Sequence, residues 1–456
     1  MSHGEMLTSR DTGFLLSVVG QLLMMTAVFI LQHRVYHNLQ EEHEMRAKKA
    51  VVAGHICLDI TPVFPANAHT PDIGRLLRPG KLVHMDGVSV HTGGCVANTG
   101  LAMKILGADV RLLAKVGDDA FGRMVRVLFD EYEAGGDLLD EKGGTTSYSV
   151  VLAPPGIDRV FLHCPGANDT FRAEDVLKFI PEEKGTFHGE TKSQAFDQVP
   201  SGRAAIAGAA AEAANPLRGA SLFHFGYPTL MKRMYTDNGT ELERLLRAVK
   251  SAGIATSLDL AAVDPDSEAG RADWESILRR VLPYVDFFVP SFEELCFMLD
   301  RPHYDALQDA FGSDDITKHL DLETDIRPLA EKCLALGANA VLLKCGAPGM
   351  YLLTSSHMEK VGAKLELKAR KWNSFSRFEK SYMIDHVVSG TGAGDTSIAA
   401  FLASLLKGMG PEEALENAAA TGALCCTGID ALEGLEPLEA VRMMIKSGWK
   451  KYDDML

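Results

Sequence analysis

The chain has 456 residues, of which 46% are hydrophobic and 23% charged. That composition excludes a mostly disordered chain, a collagen-like chain and a polytopic membrane protein. At roughly 150 residues per domain the length alone suggests about three domains. There are 46 basic and 61 acidic residues, a net charge of −15. Such a field repels phosphate backbones and excludes non-specific nucleic-acid binding. A small anionic substrate, which feels only its local pocket, remains compatible with it.

Residues 13–31, GFLLSVVGQLLMMTAVFIL, carry no charge. As a helix they would span roughly 28 Å, about one hydrocarbon thickness. Arg34, Arg46, Lys48 and Lys49 follow, against Arg10 before. The excess of positive charge predicts a following domain on the cytoplasmic side of any membrane that the segment enters. A membrane anchor is one expectation. An over-extended start, with Met45 opening the folded unit, and a packed helix are the others. Gln32 to Lys49 reads as a solvated helix or linker.

The eight cysteines, Cys57, Cys95, Cys164, Cys296, Cys333, Cys345, Cys425 and Cys426, form no Cys-x-x-Cys pair. They fit small buried hydrophobes in a reducing compartment. Asn168-Asp169-Thr170 matches a glycosylation triplet, a pattern common by chance.

From residue 50 onward apolar runs alternate with helical patterns. Strands are predicted at 50–53, 110–115, 147–152, 160–163, 221–225, 255–259, 287–289, 340–344 and 349–353. Helices are predicted at 98–106, 121–132, 240–251, 274–282, 292–299, 325–336, 396–407 and 411–426. This alternation implies right-handed βαβ units and a mostly parallel sheet. Residues 182–220, polar and then Ala/Gly-rich, read as an insertion. Residues 355–384, basic and polar, read as solvent-facing strands and a loop.

The sharpest motif is Ser389-Gly390-Thr391-Gly392-Ala393-Gly394-Asp395-Thr396, opening an apolar helix. Alternating glycines let backbone amides turn inward, and the helix dipole adds to the resulting anion hole. Asp395 falls in the first helical turn. A carboxylate beside a phosphate cradle suits deprotonation of a hydroxyl that attacks a phosphoryl group. No lysine follows the glycines, so the turn is not a Walker A loop. Upstream, Gly93-Gly94-Cys95-Val96-Ala97-Asn98-Thr99-Gly100 also leads into a helix. Taken alone, it is an ordinary helix start.

Together and in this order, GGCVANTG…KVGDDAFG and SGTGAGDTSIAAFLASLL resemble the two signatures of the ribokinase-like (PfkB-type) carbohydrate kinase family. PSFEEL (290–295) resembles the family's Asn-x-x-Glu stretch, and LLKCGAPGMYLL (342–353) its nucleotide-side turn. The resemblance covers residues 50–440. It implies an α/β three-layer sandwich with a mostly parallel central sheet and a small β lid, at about 60–92 and 145–165. One kinase unit at 50–456 then replaces the three domains, after an extension at 1–49.

The resemblance also implies roles. Asp395 matches the catalytic base, and Gly392, Ala393 and Gly394 the anion hole. Asp59, Gly93, Gly94 and Asn98 match sugar-contacting positions. Glu294 matches the glutamate that organises Mg²⁺. Lys344, Gly346, Gly349 and Thr391 match the ATP-binding side. Asn417 matches a position near the adenine, or is a helix-surface amide. Ser291 stands where the family has asparagine. Ser389-Gly390 replaces an Asp-Thr pair that helps to build a monovalent-cation site, so potassium activation is in doubt. Lys344 stands where a small hydroxyl residue is common, and reads as a phosphate contact or a solvent-facing side chain.

Arg75, Arg78, Lys81, His84 and His91 in the lid read as a grip for an acidic sugar or as a solvated loop face. Arg159 falls where some relatives place a substrate contact. An exposed lid edge predicts a homodimer through the lid. The expected activity is ATP-dependent phosphorylation of a sugar, with a primary alcohol as acceptor. A nucleoside kinase is the same-fold alternative, but residues 66–92 contain no Phe, Tyr or Trp to stack on a base. A non-catalytic sugar or nucleotide sensor is the other alternative, and Asp395 argues against it.

Overall fold

A computed structural model describes residues 48–65, 73–155, 160–180, 215–312 and 314–452. The expected apolar helix at 13–31, most of the expected insertion at 182–220, and Arg159 lie outside the described residues.

The strands in chain order are β1 (Lys49–Gly54), β2 (Cys57–Val63), β3 (Gly87–Gly93), β4 (Asp109–Leu113), β5 (Lys115–Gly117), β6 (Leu139–Glu141) and β7 (Tyr148–Leu152). They continue with β8 (Val160–Cys164), β9 (Ala220–Gly226), β10 (Ala255–Asp259), β11 (Phe287–Phe288), β12 (Ala340–Lys344), β13 (Gly349–Thr354) and β14 (Ser376–Lys380). The longer helices are α1 (Cys95–Ile105), α2 (Ala120–Asp130), α3 (Thr240–Ser251), α4 (Trp274–Val281) and α5 (Phe292–Leu299). They are followed by α6 (Arg301–Phe311), α7 (Arg327–Ala335), α8 (Ala393–Leu406), α9 (Pro411–Cys425) and α10 (Leu438–Lys446). The sequence pattern did not separate α6 or α10.

The central sheet runs β14-β13-β12-β11-β10-β9-β1-β4. From β4 to β12 every pairing is parallel, and β13 and β14 close the far edge antiparallel. Its strands are apolar on both faces because helices cover both. In β1, Ala50 and Val52 enter one core while Val51 and Ala53 enter the other. Phe287 and Phe288 of β11 divide in the same way. Residues of α1, α2, α8, α9 and α10 fill the first core, and residues of α3 to α7 the second. This is the three-layer α/β arrangement that the resemblance implied.

A separate four-stranded sheet, β3-β2-β7-β8, forms the lid. The chain passes into it from β1 through His55 and Ile56. Asn168 clamps that crossing: its Nδ2 donates to Ile56 O at 2.8 Å, and its Oδ1 accepts from Ile56 N at 3.3 Å. Its side chain is thus engaged inside the protein, and the glycosylation triplet has a structural use instead.

Residues 355–384 depart from expectation. Leu365, Trp372 and Tyr382 are buried there, and β14 extends the central sheet. The basic residues dominate the composition of the segment, yet a few apolar side chains decide its packing. Trp372 meets Phe287 and Phe401 edge-on, each with ring centroids 6.0 Å apart. Trp372→Ala is therefore expected to cost about 3–5 kcal/mol in urea unfolding. A solvent-facing segment would show less than about 0.5 kcal/mol.

Candidate active site

The parallel strands deliver their chemistry at one edge. His55 follows β1, Tyr227 follows β9, Asp259 ends β10, Ser291 and Glu294 follow β11, and Lys344 ends β12. In an open parallel sheet the carboxyl ends of the strands are where a ligand crevice opens. A cleft of about 760 Å³ opens here. Tyr227, Asp259, Glu294, Lys344, Gly346, Gly349, Gly392, Ala393, Gly394 and Asp395 all line it.

Asp395 lies in the first turn of α8, which starts three residues earlier than its apolar pattern predicted. Gly392 makes the early start possible. It takes φ +80°, and a Cβ there would overlap Ala431. The Asp395 carboxylate is 6% exposed and receives donors from two other elements. Asn98 Nδ2 donates to Oδ2 at 3.0 Å, and Thr99 Oγ1 to Oδ1 at 3.3 Å. Tyr227 OH donates to Oδ1 at 2.7 Å and to Oδ2 at 2.8 Å. Asn98 and Thr99 belong to α1, so the amino-terminal ends of two helices converge on one carboxylate. Both dipoles favour its negative charge.

Below the glycine turn, Lys344 Nζ lies 2.8 Å from Asp259 Oδ1. Burial opposes charge on Lys344, but Asp259, Glu294 and Asp395 outweigh it and raise its pKa above the usual range. Burial at the same time pushes the Asp259 carboxyl up, to about 8, and the ion pair with Lys344 opposes that shift. Lys344 does not face solvent; its stem lies against Gly394, next to the anion hole. Asp259 Oδ2 is buried without a hydrogen-bond partner.

Glu294 is fixed by a capping box. Ser291 N donates to Glu294 Oε2 at 2.9 Å, and Glu294 N donates to Ser291 Oγ at 3.3 Å. Ser291 thus does what an asparagine N-cap would do. Among the described residues no group of three or more His, Cys, Asp or Glu side chains forms a metal cage. Glu294 and the unpartnered Asp259 oxygen are hard oxygen donors. They fit a divalent cation whose other ligands are water and phosphate.

In the lid, Asp59 of β2 pairs with His91 of β3 and Ser149 of β7, and Ser149 pairs with His163 of β8. Directly opposed residues share a sheet face, so this is a polar row across the lid. The Cys57 thiol donates to Asp59 Oδ1 at 3.2 Å. A Cβ on Gly93 would overlap Asp59 Oδ2, which places that carboxylate against the glycine pair. Burial raises the Asp59 pKa against the pull of Cys57 and Ser149. Burial holds His55 down at about 3, so its ring is neutral. His91 Nδ1 lies 3.2 Å from Asp430 Oδ2 and ties the lid to the segment after α9. Arg78, Lys81 and His84 are exposed, as the solvated-face reading expected.

The structure thus gathers Asp395, Gly392, Ala393, Gly394, Glu294, Lys344, Gly346 and Gly349 in one cleft, with Asn98 bonded to Asp395. Asp59, Gly93 and Gly94 lie together at the lid. Two of the sequence-derived residues differ. Asn417 is buried, donates to Ser404 Oγ at 3.0 Å and does not line the cleft. It is not on the helix surface: it ties α9 to α8. Thr391 does not line the cleft either, and its carbonyl accepts from Cys425 Sγ at 3.4 Å. Tyr227, Asp259 and Thr99 were missed. The signal available for Tyr227 and Asp259 was a polar group closing a buried apolar strand.

Comparison with known proteins accords with this geometry. The profile of the pfkB family carbohydrate kinases matches residues 47–184 and 234–437. The chain belongs to the pfkB carbohydrate kinase family. A ribokinase of Arabidopsis thaliana is 26% identical over 203 residues, which is 44% of this chain and 42% of that protein. The match therefore spans less than half of that relative's length. A solved structure of Arabidopsis thaliana ribokinase with ribose and ATP is 20% identical, with a TM-score of 0.58. The alignment covers 88% of this chain and 99% of that one. A candidate ribokinase II of E. coli, solved with ATP and Mg²⁺, is 18% identical with a TM-score of 0.57. Its alignment also covers 88% and 99% of the two chains. These two structures show that the pfkB member has the ribokinase-like fold.

Ser291→Ala removes the cap and is expected to cost about 1 kcal/mol in chemical denaturation, whereas Ser291→Asn stays close to wild type.

Proposed function

We propose that the protein transfers the γ-phosphate of ATP to a hydroxyl of a sugar, with Asp395 as general base. The observation that carries the reading is the Asp395 carboxylate, set beside the Gly392–Gly394 turn at the amino-terminal end of α8. The acceptor oxygen attacks the γ-phosphorus, its proton passes to Asp395, and the β,γ-bridging bond breaks as ADP leaves. The backbone at Gly392, Ala393 and Gly394 and the ammonium of Lys344 receive the charge that develops. Gly346 and Gly349 wall the nucleotide side. Mg²⁺, held through Glu294 with Asp259 nearby, would neutralise the triphosphate.

Asp59 and the polar row of the lid favour a sugar over a nucleoside. Carboxylate and hydroxyl groups orient a polyol, whereas a base needs aromatic faces. The related ribokinase solved with ribose and ATP supports the same class of acceptor. The exposed Val88, Phe161 and Leu162 of the lid support its use as a dimer contact.

Asp395→Asn keeps the shape and removes the base. With the fold intact by thermal melting, kcat for sugar-dependent ADP release is expected to fall about 10²–10⁴-fold. Near-unchanged turnover would refute the role. Ser389 Oγ accepts from Thr391 N at 3.2 Å, and neither Ser389 nor Gly390 offers a carboxylate to a monovalent cation. Rates in potassium, sodium and choline chloride at one ionic strength are expected to agree. A strong potassium optimum would contradict this.

A further inference from the structure

We propose that Tyr227 is a latch on the base: its hydroxyl holds the position at Asp395 that the acceptor hydroxyl must take, and so suppresses phosphoryl transfer to water before sugar binds. This rests on the kinase reading above and deepens it.

A carboxylate offers about four lone-pair sites. Three hydrogens reach Asp395, and the single phenolic hydrogen of Tyr227 is shared between its two oxygens. Oδ1 accepts from Thr99 Oγ1 and Tyr227 OH, and Oδ2 from Asn98 Nδ2 and Tyr227 OH. Of the three donors only Tyr227 lines the cleft, so an incoming hydroxyl reaches Asp395 by displacing the phenol that bridges its two oxygens. The three donors are not equivalent. Asn98 and Thr99 are fixed in α1, and Thr99 is fully buried. Tyr227 is only half-buried and lines the open cleft. It follows β9 directly, with φ 63° and ψ 44°. That left-handed conformation is unfavourable for an aromatic residue. Tyr227 is therefore the donor able to leave.

Burial, reinforced by the Asp395 and Asp259 carboxylates, raises the Tyr227 phenol far above its ordinary range. The phenol thus stays protonated and acts as a donor rather than as a base. Tyr227 also lies within 185–233, the stretch between the two segments that the family profile matches.

The side reaction that the latch blocks is hydrolysis. A water oxygen would attack the γ-phosphorus, its proton would pass to Asp395, and the β,γ-bridging bond would break, giving ADP and inorganic phosphate. With Tyr227 in place the phenol covers the cleft side of Asp395, and a water there must displace it to donate. When sugar enters, its hydroxyl replaces the phenol, and the same bond changes give sugar phosphate and ADP.

The test measures ADP release by the full chain from ATP and Mg²⁺ alone, then with D-ribose, D-fructose and D-glucose added. Wild type is expected to release ADP slowly until sugar is present. Tyr227→Phe is expected to raise sugar-free release about tenfold or more, and a second change, Asp395→Asn, to abolish the gain. Tyr227→Leu removes the hydroxyl with a different shape and serves if the Phe variant does not fold. Sugar-stimulated wild type with unchanged or slower sugar-free release by a folded Tyr227 variant would overturn the latch alone. Wild type without sugar stimulation would overturn the kinase reading, and the latch with it.

Discussion

The structure depends on how one carboxylate is held. Asp395 is nearly buried, yet it keeps its place because donors from α1 and from the end of β9 reach it. Each donor arrives through the sheet order. β1 lies beside β9 and feeds the lid at β2, α1 follows the lid strand β3, and α8 packs against α1. A buried carboxylate without these bonds would be costly. The core and the site are therefore one problem: the packing that buries α8 also brings Asn98 and Thr99 to its first turn.

The same economy governs the phosphate side. The chain carries a net charge of −15, but the cleft presents to an anion a helix end, a glycine turn and one lysine. Lys344 pairs with Asp259 at 2.8 Å, and the carboxylates around it push its pKa up. Asp259 and Glu294 then face the place where a divalent cation would join the triphosphate. Local geometry, rather than net charge, makes the pocket fit for ATP.

Much of this was legible in the sequence where a function is written locally. The turn at Gly392–Asp395, the pair Gly93-Gly94 and the helix-opening Ser291…Glu294 each lie within a few residues, so motif and geometry coincide. Strand positions were legible for the same reason: β12 is a short apolar run closed by Lys344, and β10 is a short segment buried throughout. Tyr227, Asp259 and Thr99 were not legible, because their roles arise from contacts across strand order. Tyr227 lies 168 residues from the carboxylate it binds, and Thr99 lies 296. Asn417 was legible only as a place in the order of motifs; its buried bond to Ser404 depends on how two helices pack. Residues 355–384 show that basic composition conceals an anchor such as Trp372.

The central claim is that this site moves a phosphoryl group from ATP to a sugar oxygen. ³¹P NMR of the full chain with ATP, Mg²⁺ and a pool of pentoses and hexoses tests it directly. The account predicts a new phosphate monoester resonance, split by coupling to sugar protons, that grows in step with ADP. Accumulation of inorganic phosphate alone, or no loss of ATP with any acceptor in the pool, would contradict it.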